Sequence, residues 1–436
     1  MSFRINLYFF VVISVAGLSA CTHANVESNE SSLVKRSETN GASNVILSNI
    51  DGGMILEGKI HGNQFIAAIP TKWNRDALLF AHGYSLPGTP VDVPKNPLVA
   101  DLSGGLMKLA YDQGFTVAYS AYNKAGMGVE TGAASTLALK KFLDEVLQPE
   151  RTFVSGGSMG GNVVMALIDE HPDEFAGALA ACGVVDGWEY QLGALIDIRA
   201  IYNYFTKGTE FELPGNKDIR ISAISPEPPN WLSFTGGLWR YAQLRRISRP
   251  IEALFEEAEV DKHSKAANIL RNIESASNQF PAEMSSFISP LATVSLGMDD
   301  IVTTFGGMPY NNTEKVYKSE HLSDLQNNEL NQSIARTIAD SSAVAYQTRW
   351  HKSTGRSPVK LLVLHNSIDP LVPYKNVKNL SARMQAEGNF HNLRVMEVPT
   401  KYSKIFGTSH SGYSHCGFTN EEIEEAWSLL IKWVER

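Results

Sequence analysis

The chain has 436 residues, of which 43% are hydrophobic and 19% charged, and its formal net charge at pH 7 is −8. This composition is that of a globular protein and excludes a disordered or fibrous one. The net negative charge argues against nucleic acid as a partner, because binding to phosphates requires clustered positive charge.

The first 20 residues predict a secretory signal peptide. Arg4 precedes an apolar run over residues 5–18, and small residues follow it. A membrane span is the alternative, but a run of about 14 residues is shorter than the roughly 20 that a bilayer core requires. We therefore expect residues 1–20 to be removed on export.

Residues 18–21, Leu-Ser-Ala-Cys, resemble the lipobox of bacterial lipoproteins. The resemblance implies that Cys21 is lipidated and that Thr22, in a Gram-negative cell, directs the protein to the outer membrane. Residues 21–43 are polar without apolar periodicity, which predicts a flexible tether. We expect an exported protein on the outer membrane or facing the periplasm, whose membrane contact is the lipid anchor. A chance cysteine, and hence a secreted protein, is the alternative.

Residues 44–186 alternate between strand and helix patterns. The run 77–81 is apolar throughout, which is typical of a strand buried on both faces. Alternation of this kind predicts a mostly parallel sheet covered by helices, the first part of an α/β core. The expected strands are 44–47, 54–59, 64–69, 77–81, 115–120, 152–155 and 176–182, and the expected helices are 102–113, 134–147 and 162–170.

The pattern breaks over residues 187–350 and resumes in residues 351–436 with a strand at 359–364 and another at 393–398. A loop of that length without structure is implausible inside a compact domain. Its helix patterns and its many aromatic residues predict a mainly helical lid. The two flanking parts then form one core.

Ser158 is the candidate nucleophile. It is the serine of a GxSxG pattern, Gly156-Gly157-Ser158-Met159-Gly160, which on its own is a weak indication. Here a strand pattern precedes it and a helix pattern follows it, the setting in which such a serine projects its hydroxyl. A glycine-rich packing turn is the alternative.

Backbone N–H groups for an oxyanion hole are available at two positions. One is Met159, directly after the nucleophile, and the other is Tyr84, in the loop that follows the strand 77–81. His82 is a candidate base by residue type, but it precedes the nucleophile on an early strand. We expect it to shape the loop.

The candidate acid is Asp369, in the segment Asp369-Pro370-Leu371-Val372-Pro373 just past a predicted parallel strand. Its position after the nucleophile follows the order serine, acid, histidine. Asp186 is the rival carboxylate.

The candidate base is His415, because it directly precedes a final helix that begins with a capping box of Thr419 and Glu422. A base must hold its ring in place, and this helix start supplies rigidity. His410, in a looser stretch, is the alternative. His391 precedes its strand and so points to the wrong end of the sheet.

Taken together, the segments 80–84, 156–161, 369–373 and 415–416 resemble the α/β-hydrolase superfamily, in particular secreted bacterial and fungal members whose histidine is followed by cysteine. The resemblance implies an α/β-hydrolase fold with a mostly parallel, eight-stranded sheet, the lid inserted between strands 6 and 7, and a triad of Ser158, Asp369 and His415. One departure is His365-Asn366, where such enzymes often carry His-Gly.

Hydrolysis of a carboxylic ester of a small molecule or short chain, through an acyl-enzyme, is the expected reaction. A peptidase or amidase is the alternative, because the same triad cuts amides, and a non-catalytic binding lipoprotein is a third. No cofactor is expected. No cysteine spacing resembles a zinc site, so no metal is expected either. Cys182 and Cys416 are candidates for a disulfide in an exported protein.

Overall fold

The computed structural model describes residues 31–99, 104–229 and 236–436. The signal peptide, Cys21 and the first part of the tether lie outside these residues. Within them, none of the helices has the length and apolar character needed to cross a membrane.

A single large sheet organises the described chain. Its strand order is β1-β2-β3-β5-β4-β6-β7-β8-β9, antiparallel from β1 to β5 and parallel from β5 to β9. The parallel part is the α/β-hydrolase arrangement expected from the sequence. The strands are β1 (Ala42–Ile50), β2 (Gly53–Ile60), β3 (Asn63–Pro70), β4 (Asp76–Ala81), β5 (Thr116–Ser120), β6 (Arg151–Gly157), β7 (Gly177–Ala181), β8 (Leu361–Asn366) and β9 (Leu393–Val398).

The count of eight strands that the resemblance implies is wrong, because β1, which the pattern at 44–47 predicted, adds a ninth at the sheet edge. It pairs with β2 as an antiparallel hairpin, and most of its residues are exposed or half-buried, as an edge strand allows. The segment expected to be a lid therefore lies between β7 and β8, which are strands 6 and 7 of the eight that the resemblance implies.

The tether prediction is wrong for residues 31–43. Residues 31–39 form helix α1, and β1 follows almost at once. Leu33 is buried in the main core, and the buried Ser37 hydroxyl donates a hydrogen bond of 2.9 Å to the Leu33 carbonyl one turn earlier. The sequence did not predict this short helix, because its composition is polar and a single buried apolar side chain, Leu33, anchors it to the core.

Core helices cover both faces of the sheet. The face with α2 and α12 holds a cluster centred on Trp427, whose ring meets Phe115 and Phe153 edge-to-face at 5.3 and 5.5 Å. The opposite face is covered by α3, α4 and α11. These helices are α2 (Leu106–Asp112), α3 (Val129–Val146), α4 (Met159–Glu170), α11 (Lys375–Ala386) and α12 (Asn420–Val434).

Residues 187–351, called the insertion from here on, form helices in their described parts. Buried side chains such as Ile198 on α5 and Leu291 on α8 belong to the same cluster as those beneath α3 and α4, so the insertion packs onto the core. A small hairpin of β10 (Tyr402–Lys404) and β11 (Ser411–Tyr413) precedes α12. The insertion helices are α5 (Trp188–Phe205), α6 (Gly236–Val260), α7 (Lys265–Ser277), α8 (Ser285–Phe305), α9 (Asp324–Ser333) and α10 (Ser341–His351).

Candidate active site

Ser158 occupies a sharp turn between β6 and α4. Its backbone has φ 57° and ψ −124°, a conformation that is uncommon for any residue with a side chain and that projects the hydroxyl from the sheet edge. The flanking glycines make this turn possible. A Cβ on Gly156 would collide with the Gly160 carbonyl, and one on Gly160 would collide with the Ala81 carbonyl.

The structure brings Ser158, His415 and Asp369 into one hydrogen-bonded chain. His415 Nε2 lies 2.9 Å from Ser158 Oγ, and His415 Nδ1 lies 2.8 Å from each oxygen of Asp369. With the Nδ1 proton donated to the carboxylate, Nε2 is free to accept the serine proton. This is the geometry that a nucleophile, its base and an orienting acid require.

Asp369 is held as a fully buried carboxylate in the loop after β8. It accepts hydrogen bonds from the N–H groups of Leu371 (2.9 Å), Val372 (2.8 Å) and Cys416 (3.2 Å). Burial alone would raise the pKa of this carboxyl, but the facing His415 and these donors outweigh it, so the pKa of Asp369 lies below its ordinary value. The carboxylate therefore stays ionised and fixes the orientation of the imidazole.

The loop that carries His415 is tied down on both sides. Cys416 forms a disulfide with Cys182, which follows β7, and their Cα atoms are 5.2 Å apart. The buried Asn366 side chain, at the end of β8, donates a hydrogen bond of 2.7 Å to the Gly417 carbonyl. The residue that departs from the family pattern thus links the acid strand to the base loop.

The capping box expected at the start of α12 is confirmed. The Thr419 hydroxyl accepts from the Glu422 N–H at 3.2 Å, and the Glu422 carboxylate accepts from the Thr419 N–H at 2.8 Å. The base loop therefore runs directly into a fixed helix start.

The two expected oxyanion donors lie beside the nucleophile. Met159 is the first residue of α4, where the helix dipole favours negative charge. Gly83 packs so closely on Ser158 that an added Cβ would lie 3.3 Å from the serine Cβ, which places the next residue, Tyr84, at the site. Neither the Tyr84 nor the Met159 N–H has a backbone acceptor in the described part of the chain.

The Tyr84 side chain points away from Ser158 and into the insertion. Its buried hydroxyl packs against Gly297 of α8, where an added Cβ would collide with it. Burial raises the pKa of this hydroxyl, and the nearby Asp300 raises it further. Asp300 also accepts hydrogen bonds from the Met127 N–H (2.6 Å) and from Lys124 (3.0 Å). Helix α8 therefore contacts the loop that carries Tyr84.

The rival acid and bases have other partners. Asp186 forms an ion pair of 2.5 Å with Arg383. His410 lies 3.0 Å from Glu256 of α6, and His391 lies in a short 3-10 turn before β9. The structure does not bring these residues to Ser158.

His82 has a structural position. Its ring stacks on Tyr122 with centroids 3.7 Å apart, and its Nδ1 lies 2.8 Å from the Gly83 carbonyl. Burial lowers the pKa of His82 and so favours the neutral imidazole. This position agrees with the expected role in shaping the loop.

An apolar cavity of about 270 Å³ opens at Ser158, and no sequence pattern predicts it. Its walls come from strand ends and helix starts on the α2 and α12 face, positions too far apart in the chain to form a motif. All of its lining residues belong to the core. The apolar walls are Phe80, Leu106, Leu179, Leu364, Phe418 and Ile423.

The fold and this hydrogen-bonded chain define a serine hydrolase of the α/β-hydrolase type. The sequence of residues 131–224 matches the model of the prolyl oligopeptidase family. This segment includes Ser158 and Met159 and ends before Asp369 and His415. No protein of curated function matches the chain at a significant level.

Solved structures with a similar chain course include several hydrolases. The rice cell wall degrading esterase LipA of Xanthomonas oryzae is 14% identical, with a TM-score of 0.41 over 83% of this chain and 91% of that one. Feruloyl esterase B of Aspergillus oryzae is 13% identical, with a TM-score of 0.48 over 91% and 87%. The monoacylglycerol lipase of Paleococcus ferrophilus is 14% identical, with a TM-score of 0.36 over 85% and 98%.

Proposed function

We propose that this protein hydrolyses carboxylic esters, with Ser158 as nucleophile, His415 as base and Asp369 as orienting acid. The observation that carries the proposal is the hydrogen-bonded chain from Ser158 Oγ to Asp369 at the mouth of an apolar cavity. The acyl part of the ester would occupy the cavity while its carbonyl carbon meets Ser158.

In the first half of the reaction, His415 Nε2 takes the Ser158 proton as Oγ attacks the carbonyl carbon. The N–H groups of Tyr84 and Met159 donate to the oxygen that becomes negative, and each such donor is worth about 3 kcal/mol. Asp369 stabilises the imidazolium. His415 then returns the proton to the leaving alcohol, and the acyl group remains on Ser158.

In the second half, water takes the place of the alcohol. His415 accepts a proton from the water as its oxygen attacks the acyl-enzyme, and the same two N–H groups hold the oxyanion again. Collapse of this intermediate releases the carboxylic acid and returns the proton to Ser158. The residues named above suffice for the reaction.

The cavity lining supports an ester of a plain acid over a peptide. Apart from Ser158, His415, Ser155 and Tyr84, its side chains are apolar, disulfide-bonded or absent, and Leu179, Leu364 and Phe418 form much of the wall. A peptide on the acyl side would bring its own N–H and C=O groups into this space. Each buried group left without a partner costs about 1–3 kcal/mol.

Peptide or amide hydrolysis is the second candidate, and the match of residues 131–224 to the prolyl oligopeptidase family supports it. Turnover of acyl esters and of aminoacyl amides by the purified enzyme separates the two. We expect higher kcat/KM on esters, and a preference for amides would overturn the proposal.

Labelling by a fluorophosphonate tests the nucleophile. The wild-type protein should be labelled at Ser158 and the Ser158→Ala variant should not. Labelling that persists in Ser158→Ala would contradict the assignment. Absence of labelling and turnover in the wild type would favour a non-catalytic binding lipoprotein.

We also propose that the protein is exported and anchored through lipidated Cys21, on the outer membrane or facing the periplasm. The residues 18–21 support this proposal, and so does the Cys182–Cys416 disulfide, since such bonds persist in oxidising compartments. Radiolabelled palmitate should be incorporated by the wild type and not by Cys21→Ser. Equal incorporation by the wild type and Cys21→Ser would contradict the lipid anchor. Release of both the wild type and Cys21→Ser into the medium would favour a secreted protein.

A further inference from the structure

Two residues in contact form part of the wall of the apolar cavity. Ile423 lies in the first turn of α12, and Gly104 lies just before α2. A Cβ on Gly104 would lie 2.8 Å from Ile423 Cδ1, so the isoleucine side chain already fills the space beside the glycine. Both residues line the cavity that opens at Ser158.

A groove of about 380 Å³ begins on the other side of the same two residues. Gly104 and Ile423 line it as well. Leu98, Val99 and Leu109 give the groove apolar surface, and Val99 is 78% exposed. The cavity and the outer groove therefore share one wall.

We propose that Ile423 is the partition that sets the length of the acyl chain this enzyme accepts. This inference rests on the proposed ester hydrolysis and specifies its substrate class as esters of compact or medium-length apolar acids. A cavity of about 150 Å³ holds benzene, so by the same ratio the cavity of about 270 Å³ holds roughly ten carbon atoms. A longer chain meets Ile423.

The partition is held firmly by its surroundings. The Ile423 N–H donates a hydrogen bond of 3.1 Å to the Thr419 carbonyl within the capped first turn of α12, and Ile423 is 7% exposed. Gly104 has φ 60°, where a side chain would be strained. The wall is thus formed by the start of α12 and by the backbone at Gly104, which lies against Ile423. The Ile423 side chain is the part of this wall that a substitution can remove.

A chain-length series of p-nitrophenyl esters, from acetate through octanoate to tetradecanoate, tests the partition. For the wild type we expect kcat/KM to fall at least about tenfold from octanoate to tetradecanoate, because each methylene that does not fit costs binding. Ile423→Ala should join cavity and groove and raise the tetradecanoate-to-octanoate ratio about tenfold or more. Ile423→Trp should move the optimum toward acetate.

Ile431→Ala is the matched control, since Ile431 is on the same helix, packs on the same cluster and does not line the cavity. It should keep the wild-type profile. Comparing ratios within each variant removes effects of stability on the amount of active enzyme. An Ile423→Ala profile equal to that of the wild type, or an Ile431→Ala profile shifted equally, would overturn the proposal.

Alkyl p-nitrophenyl phosphonates separate failure of the partition from failure of ester hydrolysis. They label an active serine without acyl turnover, so they probe the cavity even if the natural substrate is an amide. Faster labelling of Ile423→Ala than of wild type by the tetradecyl compound, with equal rates for the octyl compound, supports the partition. Equal rates with both compounds would refute it, whatever the ester assay shows.

Discussion

The core and the insertion contribute to the site in different ways. The core supplies Ser158, Asp369 and His415, for which we propose the catalytic roles, and every lining residue of the apolar cavity. The insertion contacts the loops that carry them. Short motifs thus contain the residues proposed to react, whereas long-range contacts keep those residues in position.

The loops around the candidate site contact helices of the insertion. On the acid side, the buried Gln191 of α5 donates a hydrogen bond of 2.7 Å to the Leu371 carbonyl and accepts one of 3.0 Å from Asn376. On the oxyanion side, α8 receives the Tyr84 side chain at Gly297. The hairpin before the base loop contacts α6 through His410 and Glu256, and its strand β11 contacts the start of α8. These contacts predict that changes in the insertion alter catalysis without touching substrate.

The largest expected effect lies in the core. His415→Ala should lower kcat about 10³-fold or more, because the proton of Ser158 then has no acceptor. His410→Ala, which removes a contact with Glu256 of the insertion, should change kcat by no more than about threefold, since this solvent-exposed contact does not involve Ser158, Asp369 or His415. Steady-state kinetics of both variants on one ester decides which histidine is the base. A larger loss of kcat in His410→Ala than in His415→Ala would make His410 the base.

Gly297→Ala should show that the insertion supports the oxyanion hole. The added methyl group would displace the Tyr84 ring, and loss of one oxyanion donor should lower kcat about 10²-fold. KM should change little, because the donor acts mainly in the transition state.

Gly237→Ala is the matched control for Gly297→Ala. It is also a helical glycine of the insertion, but its added Cβ meets no atom of the described residues within 4 Å. We expect wild-type kcat from this variant. Equal kcat for both variants would show that α8 does not position Tyr84.

Gln191→Ala should cost stability first and activity second. It removes the side chain that donates to the partly buried Leu371 carbonyl and accepts from the buried Asn376 amide, which should lower the free energy of unfolding by about 1–3 kcal/mol. Urea denaturation measures this loss. Because Asp369 keeps its own backbone donors, kcat should fall by less than in Gly297→Ala, and a larger fall would mean that α5 orients the acid directly.

The smallest expected effect is a pH dependence of stability within the core. The pKa of Asp369 is lowered by folding, so its stabilising contribution is present above the ordinary carboxyl pKa of about 3.9 and is lost as the pH falls through the folded value. The difference in unfolding free energy between wild type and Asp369→Asn should therefore shrink on acidification below that pH. A difference that grows would contradict the shift.

Much of the core could be predicted from the sequence because local rules govern it. The apolar run at 77–81 became β4, the helix pattern after Ser158 became α4, and the capping box at Thr419 formed as expected. The order of nucleophile, acid and base then placed His415 near Asp369 without any structure. These features depend on neighbours within a few residues or on strand order alone.

The supporting contacts could not be predicted in the same way. Gly297 and Tyr84 are far apart in the chain, and neither belongs to a pattern that indicates contact. The cavity wall joins Gly104 to Ile423 across the core, and α1 was concealed by its polar composition. Such features follow from packing between distant segments, which periodicity and spacing do not report.

The disulfide has a consequence for how the protein withstands proteolysis. Cys182 and Cys416 are separated by 234 positions, so the bond closes a ring that contains the insertion, β8 and the acid loop. A single cut in an exposed loop within this ring would open the ring but leave both fragments on one covalent molecule, with the nucleophile joined to its base. Such a cut would leave a nicked but complete chain until a reductant separated its halves, which would suit the exported location that we propose.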